Sequence, residues 1–496
     1  MPIPHNPNFH VDLAAQLYQQ TIDAARDGVS LLEAERMTNE VILRIGRVNI
    51  DLFLSQQGNG DHGESVEVES ETLVRSSEPE KRVIRSVFGL HEYHAYVYGK
   101  NLHQKIDCRP VDVRMQMPDG RYSPLLVEYT QLLCIESAHG QAANIFKKIF
   151  LQDLSVNSLE RINRRVGAQA EEFLYTVPIP KPKDEGSILV VSADGKGVPM
   201  KKEETLLPLP FEHRDHPGNR RMATLAAVYS VNPFVRTPQE FIDALFRKSG
   251  DKISWKRPEP VGKVVTGCLT KVDEDGEPMS GEIRSLTWAA EQVEQRLKKG
   301  QVLTLLIDGQ HSLWETARIC LEDRDIAKLI EILDIIHVSG YVWDIAKVLY
   351  SDREKQEAFT KDRLLRILEG KLDGVIAGVR QQATKLHLSK QARKIVEKAC
   401  GYFERNRHRM KYDEYLKAGL PIATGVIEGA CRHLVMDRMC RTGMRWTTAG
   451  AQAMINVRAV HQAGHADSFQ TYLANLELKK TRKYLHLLKD HHPLIV

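Results

Sequence analysis

Three acidic residues stand where a sequence can place chemistry. In "SILVVSADGKGVPM" the β-branched run Ile188 to Val191 breaks into Asp194-Gly195, with Lys196 behind it; "VLTLLIDGQH" repeats the pattern, the run Val302 to Ile307 ending on Asp308-Gly309. The third, Glu428, lies in "GVIEGACRHL" between Gly425 and Gly429, with Arg432 one helical turn on. An Asp at the carboxyl end of a strand points into the crevice where ligands gather. Two such carboxylates on neighbouring strands resist joint ionisation unless a cation neutralises them. Hard oxygen donors select Mg²⁺, with Mn²⁺ as a substitute. A third carboxylate completes a site for two ions roughly 3.5–4 Å apart, which activates the attacking oxygen and stabilises the leaving oxygen of a phosphodiester. Each residue also has a plain reading: Asp-Gly after a strand as a turn, and Glu-x-x-x-Arg as a helix salt bridge.

The elements that must position these residues follow from periodicity. Residues 1–56 read as two helices, the second opening on Ser30 with Glu33 in capping-box spacing. The stripe Met37, Val41, Ile45, Val48, Leu52 suits core packing or an oligomer contact. The polar, acidic stretch 57–82 predicts a linker with one short strand at Val66 and Val68. A small β-rich module is expected over 83–125. Over 126–178 a helix, short turn and second helix resemble a helix-turn-helix, with Arg161, Arg164 and Arg165 on the second helix as DNA-binding candidates; a plain helical packing unit fits equally. Residues 185–312 predict strand, strand, helix, strand, helix, strand. Residues 313–418 read as all-helical, and 419–496 as a last core helix with a basic region.

Composition sets the class. The 496 residues are 42% hydrophobic and 27% charged, ordinary for a globular protein. No run approaches a membrane span and no secretion signal is evident, so no membrane partner is expected. Seven cysteines without a CxxC pair predict reduced thiols in a cytoplasm. From Lys361 onward 25 Lys and Arg face 12 Asp and Glu, so this third of the chain suits a polyanion or a set of solvated helices.

Taken together, "VVSADGKGVPM", "LTLLIDGQHSLWE" and "GVIEGACRHLVMDRMCRTGMRW" resemble a bacterial insertion-sequence DDE transposase, more narrowly the Kra-type group related to the Mutator-like transposases. The resemblance covers most of the chain from about residue 83. It implies an α/β protein with an RNase H-like catalytic core, a mixed sheet with flanking helices, interrupted by an all-helical insertion and preceded by helical and small β-rich modules. It implies two Mg²⁺ ions on Asp194, Asp308 and Glu428. Related families carry a Cys-or-Asp, two residues, then His signature, which "DIIH" offers as Asp334 and His337; a helix-packing Asp and a core His are the plain reading. The tail "RMCRTGMRW" matches the family's basic region, so Arg438, Arg441 and Arg445, with Lys196 and Arg432, are expected at DNA phosphates. Trp446 would stack on a base or pack in the core.

The expected function is cleavage and strand transfer of double-stranded DNA at terminal inverted repeats, by a homodimer or higher oligomer on bacterial nucleoid DNA. Two other classes stay open: a helix-turn-helix regulator without catalysis, and an RNase H-like nuclease that never joins DNA.

Overall fold

The computed structural model describes residues 9–101, 106–202, 219–247, 256–272, 275, 277–322 and 329–488. It divides into two compact units, one of residues up to Arg165 with those from Ala466 on, the other Val166–His465.

In the first unit, helices Phe9–Arg26 and Leu31–Ser55 pack together. Ser30 and Glu33 close a capping box at the start of the second. The stretch expected to be a linker is instead ordered β structure. Ser65–Val68 and Glu71–Arg75 form a hairpin, with Tyr98–Gly99 as a third strand, and Glu80–Ser86 pairs with Gly89–Ala95. The first hairpin turns on Glu69 and Ser70, both at positive φ (49° and 74°), so it carries no Gly or Asn signal. Its alternating Val66, Val68 and Leu73 build a core with Tyr98, Cys108 and Val113. Tyr484, from the far end of the described chain, completes that core and donates to the Asp107 carbonyl at 3.0 Å. The segment after residue 465 therefore belongs with the N-terminal β structure rather than with the core helix before it. Helices Pro124–Glu136, His139–Phe150 and Val156–Tyr175 follow, the last crossing the division between the units.

The second unit is built on a five-stranded mixed sheet. Its strands are β1 (Ile188–Pro199), β2 (Arg220–Val231), β3 (Val261–Leu269), β4 (Val302–Ile307) and β5 (Leu329–Leu333), in the order β5–β4–β1–β2–β3. β1 pairs parallel to β4 and β4 parallel to β5, whereas β1, β2 and β3 run antiparallel. The runs Ile188–Val191 and Leu303–Ile307, apolar but for Thr304, are buried, as parallel strands covered on both faces must be. Helix Gly281–Arg296 packs on the sheet through Leu286, Trp288, Ala289 and Val293, and the Trp288 indole donates to the Leu174 carbonyl at 2.9 Å. Helix Thr448–Gln462, buried from Ala451 to Val460, packs on β3. Gly167 permits a close helix contact: a Cβ there would lie 2.4 Å from Ala453 Cα.

The region 313–418 is not wholly helical. β5 lies inside it, its "LIEIL" adding a fifth strand beside β4. The helical insertion begins only at Ile335 and comprises helices Ile335–Leu349, Arg353–Leu368, Leu372–Lys385, Lys390–Asn406 and Tyr412–Lys417.

Candidate active site

The register of the three parallel strands places the acidic residues. Ile307 pairs with Ala193 on one side and Leu333 on the other. The residue after each of these is an aspartate, so Asp194, Asp308 and Asp334 stand in a row where the parallel pairing ends, about 4.8 Å from one strand to the next. There β4 and β5 stop, but β1 runs on to Pro199 beside β2, so Asp194 lies within its strand and not at its end as expected. Asp308 is in the middle.

Each aspartate is held differently. Asp194 Oδ1 accepts from the Gly195 amide at 2.7 Å and Oδ2 from the Cys431 thiol at 3.2 Å. Asp308 Oδ1 accepts from the Gln310 amide at 3.0 Å, so the Asp-Gly turn and the presented carboxylate coexist. The Asp308 carbonyl accepts from the indole of Trp314 at 2.6 Å, and the Arg409 guanidinium covers that indole at 4.0 Å. Asp334, 3% exposed, is the N-cap of helix Ile335–Leu349. It accepts from Ile336 and His337 amides at 3.1 and 3.2 Å and from the Thr424 amide at 3.2 Å.

The Thr424 contact matters because the next element delivers Glu428. Helix Gly425–Ala430 continues as a π-helical turn Cys431–Met436, a form that recurs at functional sites. The Glu428 amide donates to the Thr424 carbonyl at 3.0 Å. Asp334 thus ties β5, the first insertion helix and the Glu428 helix at one point.

The charges crowd. Burial, and then the Asp194 and Asp334 charges, push the Asp308 carboxyl up against a downward pull from its hydrogen bond to Gln310. Burial and the charges of Asp334 and Asp194 likewise raise Glu428. Burial raises Asp334, opposed by its hydrogen bonds. Burial and the neighbouring Asp194 also hold the Cys431 thiol protonated. Over the Asp308-Gly309 turn lies Tyr402, whose buried hydroxyl has no hydrogen-bond partner among the described residues. A Cβ at Gly309 would fall 2.1 Å from the Tyr402 ring, so glycine is required here by packing. Tyr402 stacks on Tyr341 at 4.2 Å, and His337, exposed, adjoins both rings.

The donor set Asp194, Asp308 and Glu428 has the chemistry of a hard-cation site: oxygen ligands whose mutual repulsion a cation would relieve. Among the described residues, however, no three His, Cys, Asp or Glu side chains close on one point tightly enough to hold a metal ion.

The basic candidates separate. Lys196, two residues beyond Asp194 on β1, shares its face of the strand. Arg432, Arg441 and Arg445 are exposed; Arg432 lies 3.6 Å from Asp437, Arg441 donates to the Asp437 carbonyl and Arg445 to the Met444 carbonyl. Arg438 is not a surface group. It is 1% exposed, donates to Met444 Sδ at 3.2 Å and lies over the Trp446 ring at 5.0 Å, so burial removes it from any phosphate. Trp446 is also buried, its indole donating to the Met439 carbonyl at 3.1 Å, and it packs rather than offering a free face. In the other unit Arg164 is exposed, while Arg161 donates to the Tyr122 hydroxyl at 3.2 Å and Arg165 to the Asp119 carbonyl at 2.6 Å.

Sequence reasoning missed the places of Asp334, Cys431 and Tyr402. The alternation in "LIEIL" before Asp334 was the available signal for the first; Cys431 and Tyr402 had none, being brought in from far along the chain.

No family model matches the chain, and no curated protein matches it. Among solved structures it is similar to the Drosophila P element transposase strand transfer complex, at 12% identity and a TM-score of 0.25, over 77% of this chain and 95% of that one. A likeness of that degree decides nothing here.

Among the described residues no helix is long and apolar enough to cross a membrane.

Proposed function

We propose that this chain is a DDE-type transposase with an RNase H-like core, which binds the terminal inverted repeats of an insertion sequence and carries out Mg²⁺-dependent strand cleavage and strand transfer. The observation that carries this reading is the pairing of Ile307 with Ala193, which sets Asp308 beside Asp194 on parallel neighbouring strands. Glu428 lies near enough for the Asp194 charge to act on it. A regulator without catalysis gives no reason for half-buried, mutually repelling carboxylates side by side where the parallel strands end.

Asp194, Asp308 and Glu428 would hold two Mg²⁺, or Mn²⁺, which supply charge neutralisation and activation of the attacking oxygen. The chain's own residues do the positioning. Trp314 and Gln310 fix the Asp308 turn, and Asp334 anchors the helix that presents Glu428. Lys196, Arg432, Arg441 and Arg445 offer cations to phosphates. Water attacks the phosphodiester at the element's end and frees a 3′-hydroxyl, which then displaces a 3′-oxygen in target DNA without a covalent protein intermediate. The setting is the bacterial cytoplasm, on nucleoid DNA, and the cysteines are all free thiols.

Pairing two ends calls for more than one protomer. The first two helices leave Leu31, Leu32, Ile42 and Phe53 exposed, where a second copy would pack. Light scattering with and without residues 1–56 tests this; an unchanged mass rejects it.

The deciding experiment incubates the purified protein and Mg²⁺ with DNA carrying the ends that flank its gene. Nicks with a 3′-hydroxyl are expected, then joined products, which a nuclease alone does not make. Asp308→Asn is expected to bind DNA and not cut; normal cutting by that variant overturns the assignment.

A further inference from the structure

Helix Gly425–Ala430 has a second side. Away from the aspartates, Gly425, Val426, Gly429 and Ala430 form one wall of a half-open cavity of about 500 Å³, lined also by β2, β3 and the segments 256–260 and 419–421. That volume lies in the range of small-molecule sites, roughly 300–1,000 Å³. A Cβ on Gly425 or Gly429 would meet nothing within 4 Å, so the two glycines keep the wall clear.

The cavity's charge is one-sided. Arg236, Arg257 and Lys263 line it, and the one carboxylate among the described lining residues, Glu259, is engaged by Lys256 at 3.2 Å. His433, also in the lining, bonds Asp437 at 3.0 Å. The Arg236 guanidinium lies over the rings of Phe234 and Phe241 at 4.9 and 5.5 Å, and its buried Nε has no hydrogen-bond partner among the described residues. Burial, then the adjacent Arg257 charge, lower Arg236 to about 10. Two guanidiniums and an ammonium around a concavity, one with a buried donor that no described residue meets, offer the charge and the forks that take an anion. The remaining lining is largely apolar, including Val265, Pro421 and Leu434, so the space beyond the cations suits a flat organic body better than water.

We propose that this cavity binds a phosphate-bearing ligand of mononucleotide size, its phosphate between Arg236, Arg257 and Lys263 and its base against the apolar wall of the Glu428 helix. The phosphate comes either from a free nucleotide or from the terminal nucleotide of a DNA strand. The site lies across the helix from the aspartates and goes beyond the transposase reading; binding to it is measured without any DNA cleavage.

The test is calorimetry on the full chain with three probes: dAMP, inorganic phosphate, and a short oligonucleotide with or without a 5′-phosphate. Saturable binding of dAMP, or of the oligonucleotide only when phosphorylated, is expected; the first marks a free nucleotide, the second a DNA end. Arg257 and Lys263 are exposed, so Arg257→Glu with Lys263→Glu leaves the core alone. It is expected to weaken that binding roughly a hundredfold, as loss of two charge-assisted contacts implies. Gly429→Leu, which fills the wall without touching the cations, is expected to lose dAMP and the phosphorylated oligonucleotide yet keep inorganic phosphate. No saturable binding of any probe, or unchanged affinity in the charge-reversed variant, overturns the proposal.

Discussion

Cys431 donates its thiol hydrogen to Oδ2 of Asp194 at 3.2 Å, reaching from the π-helical turn after Glu428 to the middle of β1. That bond takes up a lone pair of an oxygen that a cation at Asp194 would share. Cys431→Ala is therefore expected to lower the Mg²⁺ concentration for half-maximal cleavage a few-fold, at a stability cost of about 1 kcal/mol. An unchanged Mg²⁺ titration shows that the thiol does not compete.

Asp334 separates anchor from ligand. As the N-cap of its helix it contributes about 1–2 kcal/mol, and Asp334→Ala is expected to lose that together with cleavage. Asp334→Asn keeps an acceptor for the Ile336 and Thr424 amides, which share Oδ1, and loses only the one that His337 uses on Oδ2, so it is expected to retain most stability and measurable cleavage. If Asp334→Asn melts like the parent but cuts no DNA, the carboxylate is a ligand itself.

Gly309 tolerates no side chain beneath Tyr402. Gly309→Ala is expected to cost about 1–3 kcal/mol by overpacking, and Tyr402→Ala in the same chain should recover part of it. Denaturant melts of the two single variants and the double variant measure the coupling; additivity within error rejects the contact.

Glu331 on β5 predicts a pH dependence. Burial pushes its carboxyl up, but hydrogen bonds from Arg318 and Arg409 (Arg409 Nε to Oε2 at 2.7 Å) outweigh that and hold it below its ordinary 4.5. A depressed folded value stabilises the protein fully above the unfolded value and loses that stabilisation as pH falls through the folded one. Glu331→Gln should thus be less stable than the parent at pH 6, with the gap closing below about pH 4. A gap that stays constant between pH 6 and 3 counts against the ion pairs.

The two arginine groups differ in readout. Arg438→Gln is expected to destabilise the fold by about 2 kcal/mol through its lost contacts with Trp446 and Met444, leaving the salt slope of DNA binding unchanged. Arg441→Gln and Arg445→Gln should each reduce that slope by about one unit with an unchanged melt. The reverse pattern would exchange their roles.

The sequence by itself determined the local elements: the capping box at Ser30, the strand Val302–Ile307, and the buried β-branched run that opens β1, because cap chemistry and hydrophobic period act over a few residues. It also marked Asp308 as the residue that ends its strand, whereas the expected end at Asp194 is overrun by β1, which continues to Pro199 in pairing with β2. Only the tertiary structure decided that these strands are neighbours, since register is fixed by pairing between segments more than a hundred residues apart. It decided too that Asp334 ends a strand instead of lying within a helical insertion, that the stretch 57–82 folds as a hairpin through a turn without glycine, and that Tyr484 packs with Val66 and Leu73. A basic motif likewise shows charge and not burial: Arg438 and Arg441 are alike in sequence, and only the packing of Arg438 with Trp446 and Met444 takes one of them out of solvent.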